Sequence, residues 1–142
     1  MRAVMLGDAT EQPRLEIPFF IESVRAGFPS PAQDYIERTL DLNELCIKHP
    51  SATFFVRAEG DSMIQAGIFT GDVLVVDRSL QPRDRDIVIA SVGGEFTVKR
   101  LGLLPFPALH AENPDYEPIK IDTEDGVEVF GVVTNVIHPL RR

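Results

Sequence analysis

The sequence is poor in several residue types. In 142 residues there is one cysteine, no tryptophan, two tyrosines and three histidines, with 14 basic side chains against 22 acidic ones. A single cysteine, Cys46, makes neither an internal disulfide nor a cysteine-based zinc site. At a formal net charge of −8 the chain lacks the clustered Lys and Arg that neutralise phosphates, so direct nucleic-acid binding is not expected. Long hydrophobic runs are missing too. The longest stretch without a formal charge, Val129 to Leu140, is twelve residues and is interrupted by Pro139, whereas a membrane span needs about 20. Asp8 breaks Met1 to Gly7 before a secretory apolar region forms. These absences point to a cytoplasmic protein with no membrane contact, no structural metal and no cofactor.

What is present is a core. At 44% hydrophobic residues, a chain of this length forms one domain and buries roughly 70% of its unfolded surface. Residues 1 to about 27 sustain neither a helical nor a strand period. With Pro13 and Pro18 interrupting them, they read as an extended arm anchored by Ile17, Phe19, Phe20 and Ile21. Ser30 as N-cap, Pro31 at the first helical position and Gln33 predict a short helix through about Arg38. Asp41 with Glu44 predicts a second one, carrying Leu42, Leu45 and Cys46 inward and stopped by Pro50.

From residue 53 the pattern becomes that of strands: 53–58, 73–77, 87–92, 95–101, 119–121 and 127–136 are rich in β-branched and aromatic residues. Gly93-Gly94 predicts a two-residue hairpin. Counting back from it places Lys99 opposite Val88, on a face with Thr97 and Ala90, while Phe96, Val98, Ile87 and Ile89 share the other face.

Two residues have both a structural and a chemical reading. Ser62 lies in Gly60-Asp61-Ser62-Met63, before Ile64-Gln65-Ala66-Gly67, a helical turn closed by glycine. It is either the cap of that turn or an exposed nucleophile beside free backbone N–H groups. On the tetrapeptide alone the cap is the better reading. Lys99 is either a lysine snorkelling from a half-exposed strand or, if desolvated, a base whose neutral amine accepts a proton. His49, His110 and His138 each lie beside or near a proline, with no acidic partner in a recognisable motif.

The pieces gain meaning in order. Gly60-Asp61-Ser62-Met63, Gly71 to Asp77, Asp86 to Ala90 and Gly94 to Arg100, with Phe28 to Ala32, Asp41-Leu42-Asn43, His49 to Thr53 and Val129 to Val133, resemble the LexA-like serine autoproteases of peptidase S24 type, in their SOS-mutagenesis branch. The likeness runs from about residue 18 to the C-terminus. It implies a mostly β fold, a LexA/signal-peptidase-like β-rich catalytic domain at 27–142, with small helices and a short extended arm at 1–26. It implies Ser62 as nucleophile, Lys99 as general base, backbone N–H groups of Asp61 and Ser62 at the oxyanion, and Ala26-Gly27 as the bond that the protein cuts in itself. Arg85 departs from the pattern, standing where the family often has glycine. The resemblance further implies a homodimer, stimulation by a RecA filament on single-stranded DNA, and a cleaved product that joins the catalytic subunit of an error-prone translesion polymerase (UmuC-like). Two alternatives are a repressor-type autoprotease that cleavage inactivates and a non-catalytic β-rich binding subunit. The order of the segments also implies that the cut removes no core strand.

Overall fold

A computed structural model describes residues 1–8, 17–20, 36–122 and 126–141. They fall into two compact units, residues 1–10 with 49–142, and residues 11–48.

The larger unit is a twisted antiparallel sheet of eight strands. Its strands are β1 (Arg2–Asp8), β4 (Thr53–Glu59), β5 (Val73–Asp77), β6 (Ile87–Val92), β7 (Glu95–Gly102), β8 (Ala108–His110), β9 (Ile119–Lys120) and β10 (Glu128–Ile137); β2 (Ile17–Phe20) and β3 (Ile36–Leu40) belong to the smaller unit. The order is β1-β4-β5-β10-β6-β7-β8-β9, and β1 pairs again with β7, which closes six strands into a barrel.

The β6–β7 hairpin forms because Gly93 and Gly94 both take positive φ, 58° and 83°, the twist that a two-residue connection requires and that a Cβ resists. The turn fixes the register, with Val92 opposite Glu95 and Val88 opposite Lys99. Alternation then sorts the side chains. Ile89 and Val98 join Met1, Ala3, Val56, Ala58, Met63, Ile68, Leu74 and Val76 in one buried cluster. Val88 and Ala90 join Leu101, Leu109, Val127 and Val132 in another. Each large aliphatic side chain so enclosed contributes about 1.5–3 kcal/mol, so the hairpin is gripped on both faces. Gly131 lets β10 lie close on β5: a Cβ there would stand 2.7 Å from Val76 Cγ1.

The smaller unit holds the antiparallel pair β2–β3 and a helix, α1 (Leu42–Cys46), capped by Asp41, whose side chain accepts Asn43 N at 2.9 Å.

Several expectations need correction. Residues 1 to about 27 do contain strand: Arg2–Asp8 pairs with β4 from Arg2↔Glu59 to Asp8↔Phe54, and Ile17–Phe20 pairs with β3. A cut after residue 26 would therefore take a barrel strand with it. The helix expected to end near Arg38 fails at its C-terminal part: Ile36–Leu40 is strand, because its backbone groups pair with β2; residues 30–35 lie outside the described residues. The capped helix is present, but Leu42 and Leu45 are exposed rather than turned inward, and Cys46 is half-buried. The strand at Ala108–His110 was hidden between Pro105, Pro107 and Pro114. Among the described residues no helix is long and apolar enough to cross a membrane.

Candidate active site

The site is built where β4 ends. Gly60 turns the chain at φ 106°, and Thr70 Oγ1 staples the turn, accepting from Gly60 N at 2.9 Å and donating to Gly60 O at 2.8 Å. A 3-10 turn, Ile64–Ala66, follows and closes on Gly67 at φ 79°. Met63, fully buried, pins the segment to the core. Ser62 is thus presented at the start of a tight turn, and its side chain is enclosed, at 0% exposure.

Lys99 reaches the same place from β7. Its register opposite Val88 puts the side chain on the face of Val88 and Ala90, where it is 4% exposed. Lys99 Nζ donates to Ser62 Oγ at 2.9 Å. A second donor lies closer: the Met1 backbone nitrogen, an α-amine, is 2.5 Å from Ser62 Oγ. Burial, then the hydrogen bond and charge of Lys99, lower this amine to about 5. Met1 O in turn accepts from Val98 N at 2.9 Å and from Thr97 Oγ1 at 2.7 Å.

A loop braces the Ser62 turn. Asn113 Nδ2 donates to Asp61 O at 2.9 Å, and Asn113 Oδ1 accepts Asp115 N at 3.0 Å. Gln65 N donates to Glu112 O at 3.0 Å. The Tyr116 hydroxyl donates to the Asp61 carboxylate, and Lys99 Nζ lies 5.7 Å from the Tyr116 ring centroid. That hydrogen bond, with some burial and the charges of Asp61 and Asp115, pushes the Tyr116 phenol above its usual value. An open cavity of about 310 Å³ runs beside the pair, lined by Met1, Phe96, Thr97, Lys99, Tyr116 and Ile119 among others.

A hydroxyl held against an amine in a water-poor pocket is a nucleophile–base pair once the amine is neutral. The structure brings Ser62 and Lys99 together from positions 37 residues apart, and Asp61 sits beside Ser62 in the braced turn. Ala26 and Gly27 lie outside the described residues. Asn113, Tyr116 and Met1 were missed by sequence reasoning. For Asn113-Pro114 a turn signal was available, but nothing local says which chain the turn would hold.

Two of the histidines, which have no acidic partner in a sequence motif, find carboxylate partners through the fold. His49 Nδ1 lies 2.6 Å from Asp77 Oδ2, and Ser79 N and Oγ bond Asp77 Oδ1 at 2.8 and 2.6 Å. His138 Nδ1 pairs with the fully buried Asp72, whose other oxygen accepts Phe69 N at 2.9 Å. These pairs bracket the ends of β5 and do not touch Ser62. Among the described residues no group of three or more His, Cys, Asp or Glu could hold a metal ion.

Comparison with known proteins gives the family. The model for Peptidase S24-like proteins matches residues 18–134. Protein ImpA of Salmonella typhimurium is 53% identical over 126 residues, 87% of this chain and 85% of the relative. Protein MucA of Escherichia coli is 50% identical over 127 residues, covering 87% of each. The LexA repressor of Shewanella pealeana is 40% identical over 92% of this chain and 64% of its own length. The chain belongs to the Peptidase S24-like family.

Proposed function

We propose that this S24 family member is a self-cleaving serine endopeptidase of the SOS response, acting through a Ser62–Lys99 dyad on its own Ala26-Gly27 bond. The observation that carries the reading is the 2.9 Å contact between Lys99 Nζ and Ser62 Oγ, both side chains buried, in a chain of a peptidase family.

The chemistry runs as acyl transfer. Neutral Lys99 takes the proton from Ser62 Oγ as the oxygen attacks the carbonyl carbon of Ala26. Backbone N–H groups of Asp61 and Ser62 stabilise the developing oxyanion. The C–N bond breaks, Lys99 returns the proton to the leaving Gly27 nitrogen, and residues 1–26 remain as an ester on Ser62. Water, deprotonated by the same lysine, then attacks the ester carbonyl; the bond to Ser62 Oγ breaks, Lys99 returns the proton to that oxygen, and residues 1–26 leave as a carboxylate. A small alanine before the cut fits a narrow pocket, and glycine after it lets the backbone approach closely. No metal or cofactor is required. The expected setting is cytoplasmic, as a homodimer. A RecA filament on single-stranded DNA stimulates the cut by favouring the cleavable conformation, and the product serves as accessory subunit of an error-prone translesion polymerase.

The test is self-cleavage in vitro. An amine accepts a proton only when neutral, so the rate should climb from neutral into alkaline pH. Ser62→Ala and Lys99→Ala should each abolish it while near-ultraviolet dichroism stays unchanged. A rate that peaks near pH 6, or cleavage that persists in Ser62→Ala, would contradict the dyad.

A further inference from the structure

The nearest atom to Ser62 Oγ among these contacts is the Met1 nitrogen, at 2.5 Å against 2.9 Å for Lys99 Nζ. We propose that residues 1–8 are a competing strand: they fill the channel through which an extended polypeptide reaches Ser62, and the chain is cut only in molecules whose first strand has withdrawn from β7. This rests on the Ser62–Lys99 reading and adds how access to that site is governed.

Three observations carry it. The first is space. A carbonyl carbon must come within about 3–3.5 Å of the attacking oxygen, and an atom already 2.5 Å from Ser62 Oγ stands in that volume. The second is hydrogen bonding. A polypeptide joining a sheet edge binds through the edge's own N–H and C=O groups. On β7 two donors just before Lys99 in the chain, Val98 N and Thr97 Oγ1, are both taken by Met1 O. The third is the unequal hold on β1. It pairs with β4 at six positions, from Arg2↔Glu59 to Asp8↔Phe54, but with β7 only at Arg2↔Thr97. Met1 and Ala3 are buried at 8% and 6% exposure, which keeps the strand docked in most molecules. The single pair on the β7 side lets its first residues fray without dismantling the sheet. The cavity lined by Met1, Arg2, Thr97 and Lys99 continues the channel for the incoming chain. A cleavage rate limited in this way scales with the withdrawn fraction.

A reversible lock tests it. The bond from Val98 N to Met1 O makes Arg2 and Thr97 a non-hydrogen-bonded pair, with Cα atoms about 4.5 Å apart, within disulfide reach. In a full-length Cys46→Ala background, Arg2→Cys with Thr97→Cys ties β1 to β7 under oxidation and frees it under reduction. Oxidised protein should self-cleave at least roughly tenfold more slowly than the same protein reduced, and reduction should restore the rate. Equal rates in the two states overturn the proposal. Amide exchange in full-length Ser62→Ala gives a readout that needs no catalysis. Val98 should exchange at least roughly tenfold faster than Ile89, its partner in the hairpin. Exchange of Val98 only with global unfolding also overturns the proposal, because the strand then never leaves. Fast Val98 exchange without cleavage in either redox state would uphold withdrawal and count against the Ser62–Lys99 reading instead.

Discussion

The two flanks of the site are built to different standards. On one flank Lys99 stands in a hairpin whose partner β6 is bonded to β10 on its far side, with a buried cluster on each face. On the other flank β1 is bonded fully to β4 and at one position to β7. The first flank holds Lys99 against Ser62, and under the proposed dyad small displacements there are costly, since misplacement by about 1 Å can remove a hundredfold in rate. Under the proposed strand withdrawal, the second flank is where chain enters and leaves. Precision and access are assigned to different strands, and the seam between them runs past Ser62.

Removing the weak flank should have the largest effect on stability. Residues 27–142, made directly, lack β1 and the burial of Met1 and Ala3, so the barrel is left with two open edges. The fragment should fold, because every other strand of the larger unit is retained, but its melting temperature should fall by on the order of 10 °C against Ser62→Ala full chain. A fragment as stable as the full chain would mean that β1 contributes nothing to the barrel, and the contrast between flanks would vanish.

A substitution on the tight flank comes next. Gly131→Ala pushes a methyl to 2.7 Å from Val76 Cγ1 and 3.4 Å from Asp77 O. Overpacking of this kind costs about 1–3 kcal/mol, readable by urea denaturation with an unchanged m-value. A neutral result would show that the β5–β10 contact yields easily and is no more rigid than the seam.

Arg85 offers a smaller effect of opposite sign. It is the one described non-glycine residue with positive φ, 73°, in the connection leading into β6. Arg85→Gly relieves roughly 1–2 kcal/mol of left-handed strain and gives part of it back as unfolded-chain entropy. A gain of about 0.5–1 kcal/mol is expected in the same denaturation assay, and a loss would mean that the side chain's contacts outweigh the strain. The departure from glycine noticed in the sequence thus has a physical counterpart.

The smallest effect is confined to acid. Burial alone would raise Asp77, but the hydrogen bonds from Ser79 and His49 outweigh it and hold the carboxyl below its usual value. A depressed folded value stabilises the protein above the unfolded carboxylate range, near pH 4, and that contribution disappears as pH falls through the folded value. Asp77→Asn should therefore narrow the stability difference between pH 5 and pH 3 in thermal melts. An unaltered acid limb would remove Asp77 from the account of how β5 is anchored.

What the sequence discloses follows the same division. The register Val88↔Lys99 was legible because two adjacent glycines permit few turns, and the turn dictates everything downstream in the hairpin. The Ser62 turn was legible because Gly67 closes it. β1 was not legible: Arg-Ala-Val-Met-Leu-Gly-Asp has no sustained alternation, and its strand character comes from β4, more than 40 residues away. The end of the helix expected through about Arg38 was misread for the same reason, since Ile36–Leu40 pairs with β2. The partners of His49 and His138 lie 28 and 66 residues off, beyond any spacing rule. Pairing Ser62 with Lys99 depended on resemblance, because each residue taken singly favours its structural reading.

The most direct test of the central claim is the mass of what the protein makes from itself. Full-length protein incubated at alkaline pH, beside Ser62→Ala, should yield two fragments whose masses correspond to residues 1–26 and 27–142, with Gly27 as the new N-terminus and none of either fragment from the variant. A different cleavage point, or the same fragments from Ser62→Ala, would contradict it.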